Sequence, residues 1–210
     1  MNQVKIFLSH PFTMLVSGPT GSGKTNFVKN LIYKSKLVSS PPPLKIHYFY
    51  GEWQSIFNEM NGVNFYNGLT DKISYIGNTG KPEWVIIDDL MHQSSNSQII
   101  SELFTKGSHH RNISVILIVQ NFFAKGKEMR NITLNSQYIV LFKNPRDKSL
   151  ATMLARQMYP GKSNWFQKIY EDATKKPYSY LFIDCKPYTN ENYRLLTNVL
   201  GEEKYAVVYI

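Results

Sequence analysis

The chain has 210 residues, 42% of them hydrophobic and 19% charged, which excludes a disordered polymer and suits one compact domain rather than two. Its 24 basic and 15 acidic residues leave a formal net charge of +9, favouring a polyanionic partner, nucleic acid or a membrane surface, without choosing between them. The single cysteine, Cys185, excludes an internal disulfide and points to a reducing, intracellular setting.

No segment approaches the roughly 20 apolar residues that cross a bilayer, and the opening MNQVKIFL is too short for a secretory signal. There is no internal repeat and no long low-complexity stretch. With 14 Tyr and 12 Phe, the core is expected to be bulky.

The first apolar run, Phe12 to Ser17, reads as a buried strand. It leads directly into Gly18-Pro19-Thr20-Gly21-Ser22-Gly23-Lys24-Thr25, a full match to the phosphate-binding P-loop pattern. The glycines let the backbone curl so that successive N–H groups face phosphate oxygens. Lys24 supplies a positive charge for the β- and γ-phosphates, and the Thr25 hydroxyl is the expected Mg²⁺ ligand. A random chain of this length would match the pattern roughly 1% of the time. The following residues supply the required helix, about Lys24 to Lys36, with Phe27, Val28, Leu31 and Ile32 on one face and its N-terminal dipole aimed at the same anion. The expected ligands are therefore ATP and Mg²⁺.

Ser39-Ser40-Pro41-Pro42-Pro43 stops that helix. Lys45 to Tyr50 then alternates as a strand, and 51–82, rich in Asn and Gly, predicts a helix and minor strands. Glu83 to Asp89 is an apolar strand ending in two acids, the form of a Walker B strand. Asp88 is the expected holder of the Mg²⁺ shell, and Asp89 the group that orients or deprotonates the attacking water. Ile99, Ile100, Leu103 and Phe104 mark a helical face.

Arg111 precedes the β-branched strand Ile113–Val119, which reads as buried on both faces and ends in Gln120. An amide there suits a sensor of the γ-phosphate or the water. His109 and His110 lack partners at metal-ligand spacing, so no zinc site is expected. Arg130 and Arg146 are further arginines able to neutralise charge on a transferring phosphoryl group. Gln137–Lys143 is another strand, and Asp147 caps a helix carrying Leu150, Met153, Leu154 and Met158. Tyr178–Asp184 is the last clear strand. The expected core spans about 10–184, with a tail (185–210) holding a possible helix near Tyr193–Leu200. Strands alternating with helices predict an α/β sandwich around a mainly parallel sheet.

Three stretches together resemble the FtsK–HerA superfamily of DNA-pumping ATPases, and within it the genome-packaging ATPases of poxvirus and Polinton type. They are HPFTMLVSGPTGSGKTNF, WVIIDDL, and HHRNISVILIVQN followed by ITLNSQYIVLFKNPRDKSLATMLARQMYPG, covering roughly residues 10–160. The resemblance implies a RecA-like (ASCE) three-layer core, a homo-oligomeric ring (pentamer or hexamer), and ATP hydrolysis coupled to translocation of double-stranded DNA into a capsid. It also implies capsid or portal partners, no membrane, and action at the site of virus assembly in a host cell or in the virion. Arg111 occupies the position of an arginine that reaches the neighbouring subunit's ATP; Arg146 is the second choice.

Two other readings stay open. A nucleoside or nucleotide kinase shares the P-loop and the length, but no compact Arg-rich lid segment is evident. A nucleotide-regulated DNA-binding scaffold with little turnover would use the +9 charge equally well. A signalling GTPase fits less well, because Asn144-Pro-Arg-Asp147 differs from the guanine-reading pattern at both middle positions.

Overall fold

The β-branched, fully apolar runs form the middle of one large sheet in the computed structural model, which describes residues 2–4, 7–90, 94–201 and 206–210. In chain order the elements begin with β1 (Asn2–Val4), β2 (Leu8–Ser9), β3 (Thr13–Ser17), α1 (Lys24–Tyr33), α2 (Ser35–Val38), β4 (Ser39–Ser40) and β5 (Lys45–Tyr50). Next come β6 (Val63–Asn67), β7 (Glu83–Asp88), α3 (Ser94–Glu102), α4 (Ser108–His110), β8 (Ile113–Val119) and α5 (Lys127–Leu134). The chain finishes with β9 (Tyr138–Phe142), α6 (Ser149–Met158), α7 (Ser163–Ala173), β10 (Tyr180–Asp184), β11 (Leu195–Thr197) and β12 (Ala206–Tyr209).

The sheet has ten strands in the order β1-β12-β11-β10-β9-β3-β8-β7-β5-β6. From β9 to β6 every neighbouring pair is parallel. From β9 back to β1 every pair is antiparallel. The architecture is thus α/β with a large, mostly parallel sheet.

Alternation along each strand divides the core into two layers. Met14 and Val16 of β3, Ile116 and Ile118 of β8 and Trp84 and Ile86 of β7 pack with Phe27, Val28, Leu31 and Ile32 of α1. Leu15, Val115, Leu117, Val85 and Ile87 face the other way, against apolar residues of α3, α5, α6 and α7. Strands buried on both faces must be covered by helices on both sides, and these are.

Several boundaries differ from the sequence reading. The helix expected to reach Lys36 ends at Tyr33, and Lys34 (φ −91°, ψ 6°) turns the chain into the short α2. In 51–82 the regular elements are β6 and two single-turn 3₁₀ segments, Ser55–Glu59 and Asp71–Ser74. Ile99 and Met153 point outward at 38% and 42% exposure, and Ala151 and Ala155 complete the buried face of α6. Asp147 accepts from the N–H groups of Ser149 and Leu150, each at 3.1 Å, which is the capping role expected of it.

Helices α5 and α7 were not predicted. The helix suggested near Tyr193–Leu200 is instead a 3₁₀ turn, Glu191–Tyr193, followed by β11. Leu195 and Leu196 pair with Ile183 and Phe182 on one side and with Tyr209 and Val208 on the other. Non-local pairing overrides local helical periodicity there.

Candidate nucleotide site

Parallel strands that share a direction deliver all their following loops to one end of the sheet. Here the loops after β3, β5, β7 and β8 line a cleft of about 610 Å³ formed by Thr20, Gly21, Lys24, Thr25, Tyr50–Glu52, Gln54, Asp88–Leu90 and Ile118–Gln120.

The P-loop is held by contacts that leave no room for larger residues. A Cβ on Gly18 would lie 2.7 Å from Phe142 Cβ and 2.7 Å from Ser22 Oγ, so only glycine fits. Gly23, with φ +104°, sits against the Tyr178 ring and starts α1. Helix α1 has no side-chain cap and no acid in its first turn, so its N-terminal N–H groups face the loop's concavity without a competing anion. Ser22 Oγ is buried without a protein partner, as expected of a hydroxyl that a bound phosphate oxygen completes.

Lys24 Nζ donates to the carbonyls of Gly18 (2.6 Å) and Pro19 (2.9 Å), so the ammonium lies folded over its own loop. Burial lowers its pKa, while Asp88 and Asp89 act in the opposite direction. Asp88 is buried at the end of β7 and accepts a hydrogen bond of 2.7 Å from Tyr48 Oη on the adjacent strand β5. Burial lifts its carboxyl above the usual range; the Tyr48 hydrogen bond and Lys24 pull it back, and Asp89 adds to the rise. Burial and the same carboxylate push the Tyr48 phenol far upward, keeping it a donor.

Asp89 takes φ +56°, an uncommon backbone state for a residue with a side chain. Its Oδ2 accepts from Gln120 Nε2 at 3.0 Å, linking the ends of neighbouring strands β7 and β8. Thr25 and Asp88 both line the cleft, and a hydroxyl with a carboxylate is the hard oxygen set that suits Mg²⁺. Among the described residues no group of three His, Cys, Asp or Glu could hold a metal by itself. Such a site therefore requires ligand or water oxygens as well.

The predicted residues Gly18 to Thr25, Asp88, Asp89 and Gln120 thus converge at one end of the sheet. Arg111 does not join them: it precedes β8 at the opposite end, and its Nη1 donates 3.2 Å to the Ile73 carbonyl. Arg130 is exposed on α5, and Arg146 is exposed in the loop after β9, at the P-loop end. Sequence reasoning missed Tyr48 and Glu52. Tyr48 shares a strand face with Ile46, but nothing local in the sequence says that β5 lies beside β7.

No protein-family model matches the sequence, and no curated protein matches it. Among solved structures the chain is similar to the genome packaging NTPase B204 from Sulfolobus turreted icosahedral virus 2. In its complex with ATP-gammaS the TM-score is 0.56 at 14% identity, over 85% of this chain and 94% of that one. The same NTPase with AMPPCP gives 0.56 at 15% identity, with the same coverage. The cytoplasmic domain of the Thermomonospora curvata type VII secretion ATPase EccC gives 0.54 at 12% identity, over 90% of this chain but only 27% of that one. At such identities the likeness is one of fold. That fold agrees with the resemblance to the FtsK–HerA superfamily carried by the motifs.

Proposed function

We propose that this protein is an ATPase motor with a RecA-like core that moves double-stranded DNA, packaging a viral or virus-like genome into a capsid. The observation carrying this reading is the convergence of Lys24, Asp88, Asp89 and Gln120 in one cleft, with Gln120 bonded 3.0 Å to Asp89. That the similar packaging NTPase was solved with ATP analogues supports a nucleotide as the occupant.

In this reading the P-loop N–H groups and Lys24 hold the β- and γ-phosphates. Thr25 and Asp88 would hold Mg²⁺, which would supply positive charge to the phosphate oxygens. Asp89 accepts a proton from water as the water oxygen bonds to the γ-phosphorus and the bond to the ADP oxygen breaks; Gln120 orients that water. Arg111, remote from its own subunit's cleft, acts on a neighbour's ATP in a ring of five or six subunits, with Arg146 as the alternative. Capsid or portal proteins are the expected docking partners, at the site of virus assembly.

The competing enzymatic reading is phosphoryl transfer to a nucleoside or nucleotide. With γ-labelled ATP, the label is expected as free orthophosphate, at a rate unaffected by nucleosides or nucleoside monophosphates. Label appearing on such an acceptor would replace the motor by a kinase. Tight ATP binding with negligible release, with or without DNA, would leave a nucleotide-regulated scaffold.

A further inference from the structure

We infer that a basic rim beside the nucleotide cleft, formed by segments 124–130, 143–148 and 175–176, is the surface that grips the phosphates of double-stranded DNA. This rests on the motor reading above and assigns the contact to residues. The three segments hold eight basic residues and two acids, so they account for six of the chain's nine net positive charges. All eight (Lys125, Lys127, Arg130, Lys143, Arg146, Lys148, Lys175 and Lys176) are exposed. Among the described residues none of them enters an ion pair or a side-chain hydrogen bond. One of the two acids, Asp147, is committed to capping α6.

Elsewhere some basic side chains are engaged, whereas Lys36, Lys45, Lys81, Lys106, Arg156, Lys162 and Lys168 are exposed and dispersed among acidic residues. Lys29 pairs with Glu59, Lys34 donates to the Leu200 and Gly201 carbonyls, Lys186 bonds to Tyr138, and Arg194 pairs with Glu191. Outside the three segments sixteen basic residues stand against thirteen acids, so it is the net positive charge that is concentrated in the rim.

Its placement is also specific. Lys125 and Lys127 line a hollow of about 310 Å³ whose wall includes Asp89 and Gln120, which line the nucleotide cleft as well. Gly126 between them has φ 133° and ψ 151°, a backbone state open essentially to glycine alone, which holds the two lysines on one short arch. Lys143, Lys148 and Lys175 line a second hollow of about 350 Å³, together with one acid, Glu171. That loop leaves β9 immediately after Phe142, the residue packed against Gly18. Both arms of the rim thus spring from residues touching the nucleotide machinery, which is where a change at the γ-phosphate can alter the hold on a polyanion.

Within the three segments no large apolar side chain is exposed; Tyr178 and Leu134 are exposed nearby in sequence, so the vesicle comparison below tests the membrane alternative. Point charges on long stems suit sequence-independent contact with phosphates spaced along a duplex.

The test is duplex binding by fluorescence anisotropy over a salt series. It compares wild type with Lys125→Ala/Lys127→Ala, Lys143→Ala/Lys148→Ala and the control Lys45→Ala/Lys81→Ala. The control removes equal charge at the opposite end of the sheet. Each rim pair is expected to weaken binding by about tenfold or more and to flatten the slope of log K against log salt by about two, while the control leaves the slope at the wild-type value. Rim pairs that behave like the control would overturn the rim and leave the motor reading intact. Wild type that hydrolyses ATP but ignores duplex would overturn both. Wild type that prefers phosphatidylserine vesicles to duplex would overturn the nucleic-acid assignment.

Discussion

At the end of the sheet where the parallel strands begin, several polar groups bond to one another, although His47 Nε2 and Trp84 Nε1 are buried without a hydrogen-bond partner among the described residues and Asn112 has φ +53°. Glu83 is buried and accepts from the Gly77 N–H (3.3 Å) and the Thr79 hydroxyl (3.2 Å), with His47 Nε2 3.4 Å away. His10 bonds to Ser114 Oγ (2.6 Å) and to the Asn112 carbonyl (3.0 Å), and Arg111 to the Ile73 carbonyl. At the end where the strands finish, Lys24 folds onto its own loop, Ser22 Oγ lacks a protein partner, Asp89 has a positive φ and Asp88 is a buried acid with a raised pKa. The first end spends its polar groups on structure. The second gathers its polar groups around an open cleft, where Ser22 Oγ lacks a protein partner and burial raises the Asp88 carboxyl.

The contrast predicts that substitutions at the two ends separate stability from activity. The largest effect is expected from Lys24→Ala, which should lower ATP turnover by about three orders of magnitude while leaving the melting temperature near wild type; a large drop in melting temperature would break the comparison. Asp89→Asn and Gln120→Ala should each reduce kcat by about a hundredfold with little change in binding of a fluorescent ATP analogue. At the other end, Glu83→Ala should cost about 3 kcal/mol in a denaturant titration, because it strands buried donors, and should leave kcat unchanged below the melting range.

Smaller effects sharpen the same division. Tyr48→Phe keeps the ring packed against Phe57 and Phe65 but removes the donor to Asp88. It should raise the Mg²⁺ concentration needed for tight nucleotide binding about tenfold and leave metal-free binding alone. Asp88→Asn should raise the melting temperature of the nucleotide-free protein at neutral pH. The sign follows from the raised carboxyl: the native state binds the proton more tightly than the unfolded chain. The cost of ionising it is therefore absent below the ordinary carboxylate range and present once pH passes the native value. A melting temperature that falls would show that Asp88 stabilises the empty fold.

Much of this arrangement was legible in the residues, because each element announces itself locally. The P-loop between an apolar strand and an amphipathic helix, the acids after Trp84–Ile87 and the amide after Ile113–Val119 are all contiguous signals. What escaped depends on which strand lies beside which. Tyr48 matters only because β5 pairs with β7, in a register that sets Tyr48 against Ile86 and Tyr50 against Asp88. The strands β11 and β12 were hidden because a three-residue and a four-residue segment carry too little periodicity to stand out. Helix α7 was missed although Phe166, Ile169, Tyr170 and Ala173 share a buried face, since Trp165 and the flanking lysines blur the pattern.

The central claim is that the strand-terminal cleft hydrolyses ATP in service of moving a duplex. The most direct test is phosphate release from ATP by wild type and Lys24→Ala, each with and without double-stranded DNA of arbitrary sequence. The account predicts wild-type turnover that rises several-fold with DNA and falls to background in Lys24→Ala under both conditions. Wild-type turnover that is indifferent to DNA, or a Lys24→Ala protein that still releases phosphate at the wild-type rate, would contradict it.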